Sequence, residues 1–158
     1  MPETDGTTMI DGLIPRWTSA PTRHLPVRGE SFAYRDLGVD SGRPPIVLLA
    51  HLGATLDEWD PRVVEALAEG RRVIAVDLPG IGSSTGNVPR TIKGMAGAAR
   101  AFISELGLTR IDLMGFSLGG FVAQQVTLDA PKLVRRLVLA GTGPAGGKGI
   151  DRPTGAAY

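Results

Sequence analysis

The sequence predicts an α/β fold, a three-layer sandwich in which helices cover both faces of a mostly parallel β-sheet. Four apolar runs of strand length alternate with stretches in which apolar residues recur at helical spacing. Several of the 22 glycines stand where a strand gives way to a helix. Strands that alternate with helices form βαβ units with right-handed crossovers, and such units build a parallel sheet.

The predicted buried strands are the four apolar runs, at residues 46–50, 72–77, 111–114 and 133–140. The run at 46–50 is unbroken, and a strand that is apolar on both faces belongs in a parallel sheet covered by helices on both sides. A loosely alternating segment at 31–37, closed by Gly38, predicts one further strand.

Three helices are predicted between these strands. Asp60 can cap the first, Pro61 fits its first position and Gly70 ends it. Its buried stripe is expected to consist of Val63, Val64 and Leu67. Apolar spacing predicts the second helix at 92–106, and the third runs from Leu118 to the Ala-Pro pair at 130–131.

The composition excludes several classes of function. The chain has 158 residues, 42% of them hydrophobic, which is enough for one domain with a single core. The formal charge is +1 and the 17 basic residues are scattered, so no nucleic-acid partner is expected. There is no cysteine, and two histidines, His24 and His51, cannot form a metal cluster by themselves. We therefore expect neither a metal nor a cofactor.

Residues 1–21 lack the basic start and apolar core of a signal peptide, and no apolar run is long enough to span a bilayer. The expectation is a cytoplasmic protein with no membrane partner. The predicted organisation is a flexible arm at 1–25, a core domain at 26–142 and an irregular tail at 143–158.

The pattern G-x-S-x-G, formed by Gly115, Phe116, Ser117, Leu118 and Gly119, lies between a buried strand and an amphipathic helix. In that context it predicts a nucleophile elbow, whose serine backbone is strained and which needs small residues two positions before and after the serine. The Ser117 hydroxyl would stand at a helix N-terminus, where negative charge is favoured, with the Leu118 N–H as one oxyanion donor. The alternative is a glycine-rich turn in which the serine only caps the helix.

Two other loops carry further motifs. Residues 51–54 read His-Leu-Gly-Ala after the first apolar run, and residues 77–84 read D-x-x-G-x-G-x-S. Together with the elbow these motifs resemble the α/β-hydrolase family, in particular its lactonase, haloperoxidase and esterase branch. The resemblance implies that the N–H of Gly53, or of Leu52, is the second oxyanion donor and that His51 braces this loop by hydrogen bonding. Leu52 stands where the family usually has glycine.

The second loop has other readings. Gly80 and Gly82 could begin a dinucleotide-binding fingerprint, but Thr85 takes the place of the third glycine and no helix begins there. Asp77, which opens the loop, is expected to hold the turn that follows its strand, and a role as a site carboxylate is the alternative.

The sequence does not provide a complete catalytic triad. In this fold the order along the chain is Ser, then Asp or Glu, then His, and no histidine follows Ser117. The later acids are Asp129, inside a predicted helix, and Asp151, in the tail. His51 is expected to brace its loop rather than act as a base. The family continues with a cap and two further strands, so the resemblance implies a truncated α/β-hydrolase fold that lacks both.

The resemblance implies a serine hydrolase in which Ser117 attacks a small carboxylic ester or lactone. Without a base a serine hydroxyl is a poor nucleophile at neutral pH, so the chain as given is expected to be incomplete. The alternative is a non-catalytic remnant or interaction module. It would pair its open edge strand at 133–140 with a second copy or a complementing chain.

Overall fold

The computed structural model describes residues 16–144, and it has the predicted sandwich architecture. The strands are β1 (Arg23–Val27), β2 (Glu30–Leu37), β3 (Ile46–Leu49), β4 (Val73–Val76), β5 (Ile111–Phe116) and β6 (Val134–Ala140). The helices are α1 (Pro61–Ala68), α2 (Ile92–Glu105) and α3 (Leu118–Asp129). One six-stranded sheet has the order β1-β2-β4-β3-β5-β6. β1 and β2 are antiparallel to their neighbours, and β4, β3, β5 and β6 are parallel.

Two apolar clusters cover the two faces of the sheet. On one face α2 and α3 pack against the strands, and Phe102 of α2 stacks on Phe32 with ring centroids 5.9 Å apart. On the other face α1 and a short 3₁₀ turn at Trp17–Ser19 complete the second cluster. The central parallel strands β3 and β4 are fully buried, as expected for a parallel sheet covered on both sides.

The N-terminal segment differs from the expected flexible arm. Trp17 is 1% exposed, and its backbone N–H donates to Glu65 Oε1 on α1 at 3.0 Å. β1 follows, joined to β2 by a tight turn in which Arg28 and Gly29 both have positive φ, 51° and 87°. The expectation is therefore corrected for residues 16–25, whereas residues 1–15 lie outside the described part.

The helix boundaries agree with the predictions, but one buried position does not. Asp60 caps α1 by accepting the N–H of Arg62 at 2.9 Å. The inward stripe of α1 is formed by Val64 and Ala68, which are 0% and 1% exposed, whereas Val63 is 40% exposed. The prediction that Val63 is buried was wrong, because this helix has only 8 residues and turns a narrow face to the sheet.

β6 is the outer strand of the described sheet. Its consecutive residues Val138 and Leu139, which point to opposite faces, are each 44% exposed. The prediction of an edge strand that is apolar on both faces is thus confirmed for residues 16–144. The predicted tail at 143–158 lies outside the described residues apart from positions 143 and 144. No helix in the described part has the length and hydropathy to cross a membrane.

Candidate active site

Ser117 occupies a strained turn between β5 and α3. Its φ and ψ are 52° and −115°, a left-handed conformation that side chains rarely adopt. Two backbone hydrogen bonds fix the turn: the Ser117 N–H donates to the Ala140 carbonyl, and the Gly120 N–H donates to the Ser117 carbonyl, both at 2.9 Å. The end of β6 therefore helps to hold the serine backbone in place.

Glycines around this turn leave no room for a side chain. A Cβ on Gly115 would overlap the Gly119 carbonyl, and one on Gly119 would overlap the Leu49 carbonyl at the end of β3. A Cβ on Gly120 would overlap the side chain of Thr142, a constraint that the motif alone does not reveal. α3 consequently begins in direct backbone contact with the ends of β3 and β5.

The serine side chain does not cap the helix. Ser117 is the residue before α3, yet its hydroxyl makes no capping hydrogen bond to the first turn. This finding argues against the alternative in which the serine serves only as a helix cap. The turn itself lies at the carboxyl end of β5, directly before the first turn of α3.

The loop after β3 is braced from two sides. The Ala54 N–H donates to the His51 carbonyl at 3.2 Å, with Gly53 at a φ of 71°. His51 Nε2 lies 3.2 Å from Glu58 Oε2, and the imidazole packs edge-on against the ring of Phe116, with centroids 5.5 Å apart. His51 therefore connects this loop to the elbow.

Asp77 ties the same loop to the loop after β4. Its carboxylate accepts the N–H of Leu56 at 2.9 Å and the N–H of Ser83 at 3.2 Å. Gly82 lies so close that a Cβ there would overlap this carboxylate. Burial raises the pKa of Asp77, and the two backbone N–H groups oppose that shift. The geometry agrees with the turn-holding role expected of Asp77.

A small cavity lies between these loops and the start of α3. Its volume is about 50 Å³. One side of the cavity is formed by residues 50–54, Leu118 and Gly119. The other side is formed by apolar residues that include Leu78, Ile81, Val88, Met95 and Val122. We name it the site cavity. Ser117 does not line the site cavity, although the two residues that follow it do.

Several backbone N–H groups at this cavity have no acceptor among the described residues, and those of Leu52, Gly53 and Leu118 are among them. A cluster of backbone N–H groups that have no protein acceptor can bind negative charge. The structure thus brings together both loop positions predicted as the second oxyanion donor and the predicted first donor.

The described residues do not place a base at Ser117. His24 Nδ1 is 3.3 Å from the Ser31 hydroxyl, and both nitrogens of His51 face other groups. Asp129 is at the far end of α3, 3.6 Å from a guanidinium nitrogen of Arg100, which does not suit a triad acid. Asp151 lies outside the described part. No group of three metal-ligating side chains occurs within residues 16–144.

The model of the alpha/beta hydrolase fold family matches residues 44–155, which is more than half of the sequence. The chain belongs to the alpha/beta hydrolase family. The matched range contains the loop at 51–54, the loop at 77–84 and the elbow, so the predicted resemblance is confirmed.

Individual relatives agree with this assignment. A poly(3-hydroxyalkanoate) depolymerase of Ectopseudomonas oleovorans is 36% identical over 108 residues, which cover 66% of this chain and 38% of the depolymerase. An alpha/beta hydrolase fold protein from Chitinophaga pinensis superposes with a TM-score of 0.79 at 38% identity, covering 81% of this chain and 46% of that one. Est816, an N-acyl homoserine lactone degrading enzyme, gives a TM-score of 0.70 at 26% identity, with coverages of 81% and 48%. The chain spans less than half the length of each.

Proposed function

We propose that the chain is a serine hydrolase whose Ser117 attacks the carbonyl carbon of a carboxylic ester or lactone. The observation that carries the proposal is the left-handed backbone of Ser117, enforced by close approaches that only glycines permit. Strain of this kind costs on the order of 1–3 kcal/mol and tends to be kept at functional sites. The similarity to an N-acyl homoserine lactone degrading enzyme supports lactones within the substrate class.

The proposed reaction is acyl transfer to Ser117 followed by hydrolysis. Ser117 Oγ forms a bond to the carbonyl carbon, the carbonyl π electrons move to the oxygen, and the serine proton passes to a base. The C–O bond to the alcohol then breaks, and the alcohol takes up that proton. Water repeats these steps on the acyl-enzyme, which releases the carboxylic acid and restores Ser117.

The oxyanion donors are assigned to backbone N–H groups. Leu118 supplies one, and Gly53 supplies the other, with Leu52 as its alternative. Their lack of protein acceptors supports this assignment, since preorganised donors need no rearrangement when charge develops on the substrate oxygen. Gly115 and Gly119 keep the elbow tight, and His51 with Glu58 holds the loop that carries the second donor.

The base in this proposal is an imidazole from a complementing segment, since neither His24 nor His51 is bonded to Ser117. The relatives, of which this chain covers 38% to 48%, are long enough to carry such a segment. In this proposal, activity therefore depends on the complementing segment that supplies the imidazole.

The proposal is tested by reacting the purified chain with a fluorophosphonate, with and without added imidazole in place of the missing base, and weighing the intact protein. We expect one adduct that requires imidazole and is absent in Ser117→Ala. Ser83→Ala is the matched control, because Ser83 is an exposed serine in the neighbouring loop, and it should keep the adduct. A folded protein that forms no adduct with imidazole present, or an adduct that survives in Ser117→Ala, would overturn the proposal.

A second candidate function is that of an interaction module that pairs through β6. The exposed Val138 and Leu139 on opposite faces of this outer strand favour it. Light scattering after size exclusion would then show a concentration-dependent oligomer that Leu139→Lys abolishes. Leu128→Lys, at a 76% exposed position on α3, should leave the oligomer unchanged. A stable monomer at all concentrations would contradict this function.

A further inference from the structure

Four arginines line one groove at the amino end of the parallel sheet. They are Arg43 before β3, Arg71 before β4, and Arg135 and Arg136 near the start of β6. The remaining lining residues belong to the end of α1 and the two residues that follow it: Ala66, Leu67, Glu69 and Gly70. We name this feature the arginine groove. Ser117 lies at the opposite end of the sheet, so the proposed hydrolysis does not use the groove.

A register irregularity brings the two consecutive arginines of β6 to the same face of the sheet. Asp112 of β5 pairs with Arg136, whereas the residue before it pairs with Val134. Arg135 is therefore an additional residue in β6, and its side chain donates two hydrogen bonds to Asp112. In a regular strand consecutive side chains point to opposite faces, and a bulge is a known way to re-aim one of them. The bulge thus concentrates positive charge on the side of the groove.

Two of the arginines are held in place by a buried carboxylate. Asp112 accepts hydrogen bonds from Arg135, at 2.9 and 2.7 Å, and another from Arg71. The side chains of Arg135 and Arg71 remain 27% and 22% exposed. A guanidinium has about five N–H groups, more than Asp112 uses, so each arginine can donate to a second acceptor. Because both side chains are already ordered, a ligand would lose little affinity to the cost of immobilising them.

The other two arginines add charge that no ion pair offsets within residues 16–144. Arg43 and Arg136 are exposed, and neither has a carboxylate oxygen within 4.0 Å in this part of the chain. A Cβ on Gly70 would lie 3.3 Å from a guanidinium nitrogen of Arg43, so this side chain lies across the end of α1. Against the four arginines stand only the carboxylates of Asp112 and Glu69, which leaves two positive charges.

We propose that the arginine groove binds a phosphate dianion, either free phosphate or the phosphate group of a small organic ester. The two excess positive charges match the charge of such a group, about −1.5 to −2 at neutral pH. The planar fork of arginine donors suits phosphate oxygens, and the groove offers guanidinium groups from three separate segments of the chain. A carboxylate has a single charge and fewer oxygens, so it would satisfy fewer of these donors.

The test is a titration of the full chain, with ¹⁵N-labelled arginine, against phenyl phosphate at neutral pH and constant ionic strength, followed by NMR of the Nε–H signals. We expect saturable shifts of the Arg71, Arg135 and Arg136 signals. Benzoate, which has the same ring and one charge, should bind about tenfold more weakly. Inorganic phosphate that binds as tightly as phenyl phosphate would identify free phosphate as the ligand. Tighter binding of phenyl phosphate would identify an organic ester.

Variants separate the groove from the general charge of the protein. Arg43→Gln and Arg136→Gln should each weaken phenyl phosphate binding about tenfold and leave urea unfolding nearly unchanged, because both side chains are exposed. Arg110→Gln is the matched control, because Arg110 is an exposed arginine directly before β5 that does not line the groove. It removes the same charge and should change binding less than about twofold. An equal loss in Arg110→Gln, or shifts that do not saturate, would overturn the inference.

An acidic protein segment is the competing occupant. A Glu-Glu dipeptide blocked at both ends places two negative charges on carboxylates, and we expect it to bind more weakly than phenyl phosphate. Equal or tighter binding of this dipeptide, or of benzoate, would overturn the assignment to phosphate. Fluorophosphonate labelling of Ser117 is a separate measurement, so the serine hydrolase and the arginine groove can each fail without the other.

Discussion

The two ends of the parallel sheet contain buried carboxylates in opposite environments. At the carboxyl end, Asp77 accepts only backbone N–H groups, and burial raises its pKa. At the amino end, Asp112 of β5 is 2% exposed and accepts two hydrogen bonds from Arg135, at 2.9 and 2.7 Å, and another from Arg71. These bonds, that of Arg135 first, lower the pKa of Asp112.

The two ends of the sheet therefore differ in role: the amino end stabilises the fold, and the carboxyl end contains the candidate site. At the amino end charges are paired, and Arg135 lies at the irregularity where β6 changes register against β5, so the cluster fixes that register. At the carboxyl end the serine is strained, the N–H groups of Gly53 and Leu118 lack acceptors in the described residues and a cavity remains open. Such features lower stability and are retained where a site needs them.

Gly119→Ala should have the severest consequence, because a Cβ there meets the backbone of β3, which cannot move aside. We expect a loss of about 4 kcal/mol in the free energy of unfolding, or failure to fold. Gly97→Ala is the control, since Gly97 lies in α2 with open space at its Cβ position, and it should gain about 0.5–1 kcal/mol. Urea denaturation measures both, and equal effects would refute the claim that the elbow has no room for a side chain at Gly119.

Asp112→Asn should cost about 2–3 kcal/mol, because two arginines lose the charge that they share. Asp129→Asn removes only a pair with a 3.6 Å separation at the helix surface and should cost less than about 1 kcal/mol. Thermal and urea unfolding of both variants check this ranking. If Asp129→Asn costs as much as Asp112→Asn, the charge cluster at the amino end stabilises the fold no more than a surface ion pair does.

Acid should weaken the amino end selectively. The folded-state pKa of Asp112 is lowered, so its contribution is complete above the unfolded value of about 3.9 and is lost as the pH falls through the folded value. The raised pKa of Asp77 acts in the opposite sense, with stability lost as the pH rises through its folded value. The gap in urea midpoint between the unsubstituted protein and Asp112→Asn should therefore narrow below about pH 4. If the urea midpoints of the two proteins change in parallel with pH, this prediction is contradicted.

Ser117→Gly should stabilise the protein by about 1 kcal/mol, because glycine adopts a φ of 52° without strain. Ser117→Ala keeps the strained backbone and should leave stability nearly unchanged. Calorimetry on these two variants separates backbone strain from the loss of the hydroxyl. Equal melting temperatures for both would mean that the carboxyl end stores no strain at this residue.

Local sequence rules account for much of the fold and of the candidate site. The elbow could be predicted because its glycines, its serine and its strand-helix context are adjacent in the chain. β1 was missed because it is an edge strand with little apolar periodicity and a proline at position 26, and only pairing with β2 makes it a strand. The burial of Trp17 depends on α1, which is distant in sequence.

The sequence by itself determined the alternation of buried strands and helices, the elbow at Ser117 and the family, because each follows from contiguous residues with a fixed period or motif. Only the tertiary structure decided which distant groups meet: Arg71 and Arg135 on Asp112, Asp77 between two loops, Gly120 against Thr142. It also decided the size of the site cavity. These contacts depend on strand order and on side-chain direction across the sheet, which no local pattern encodes.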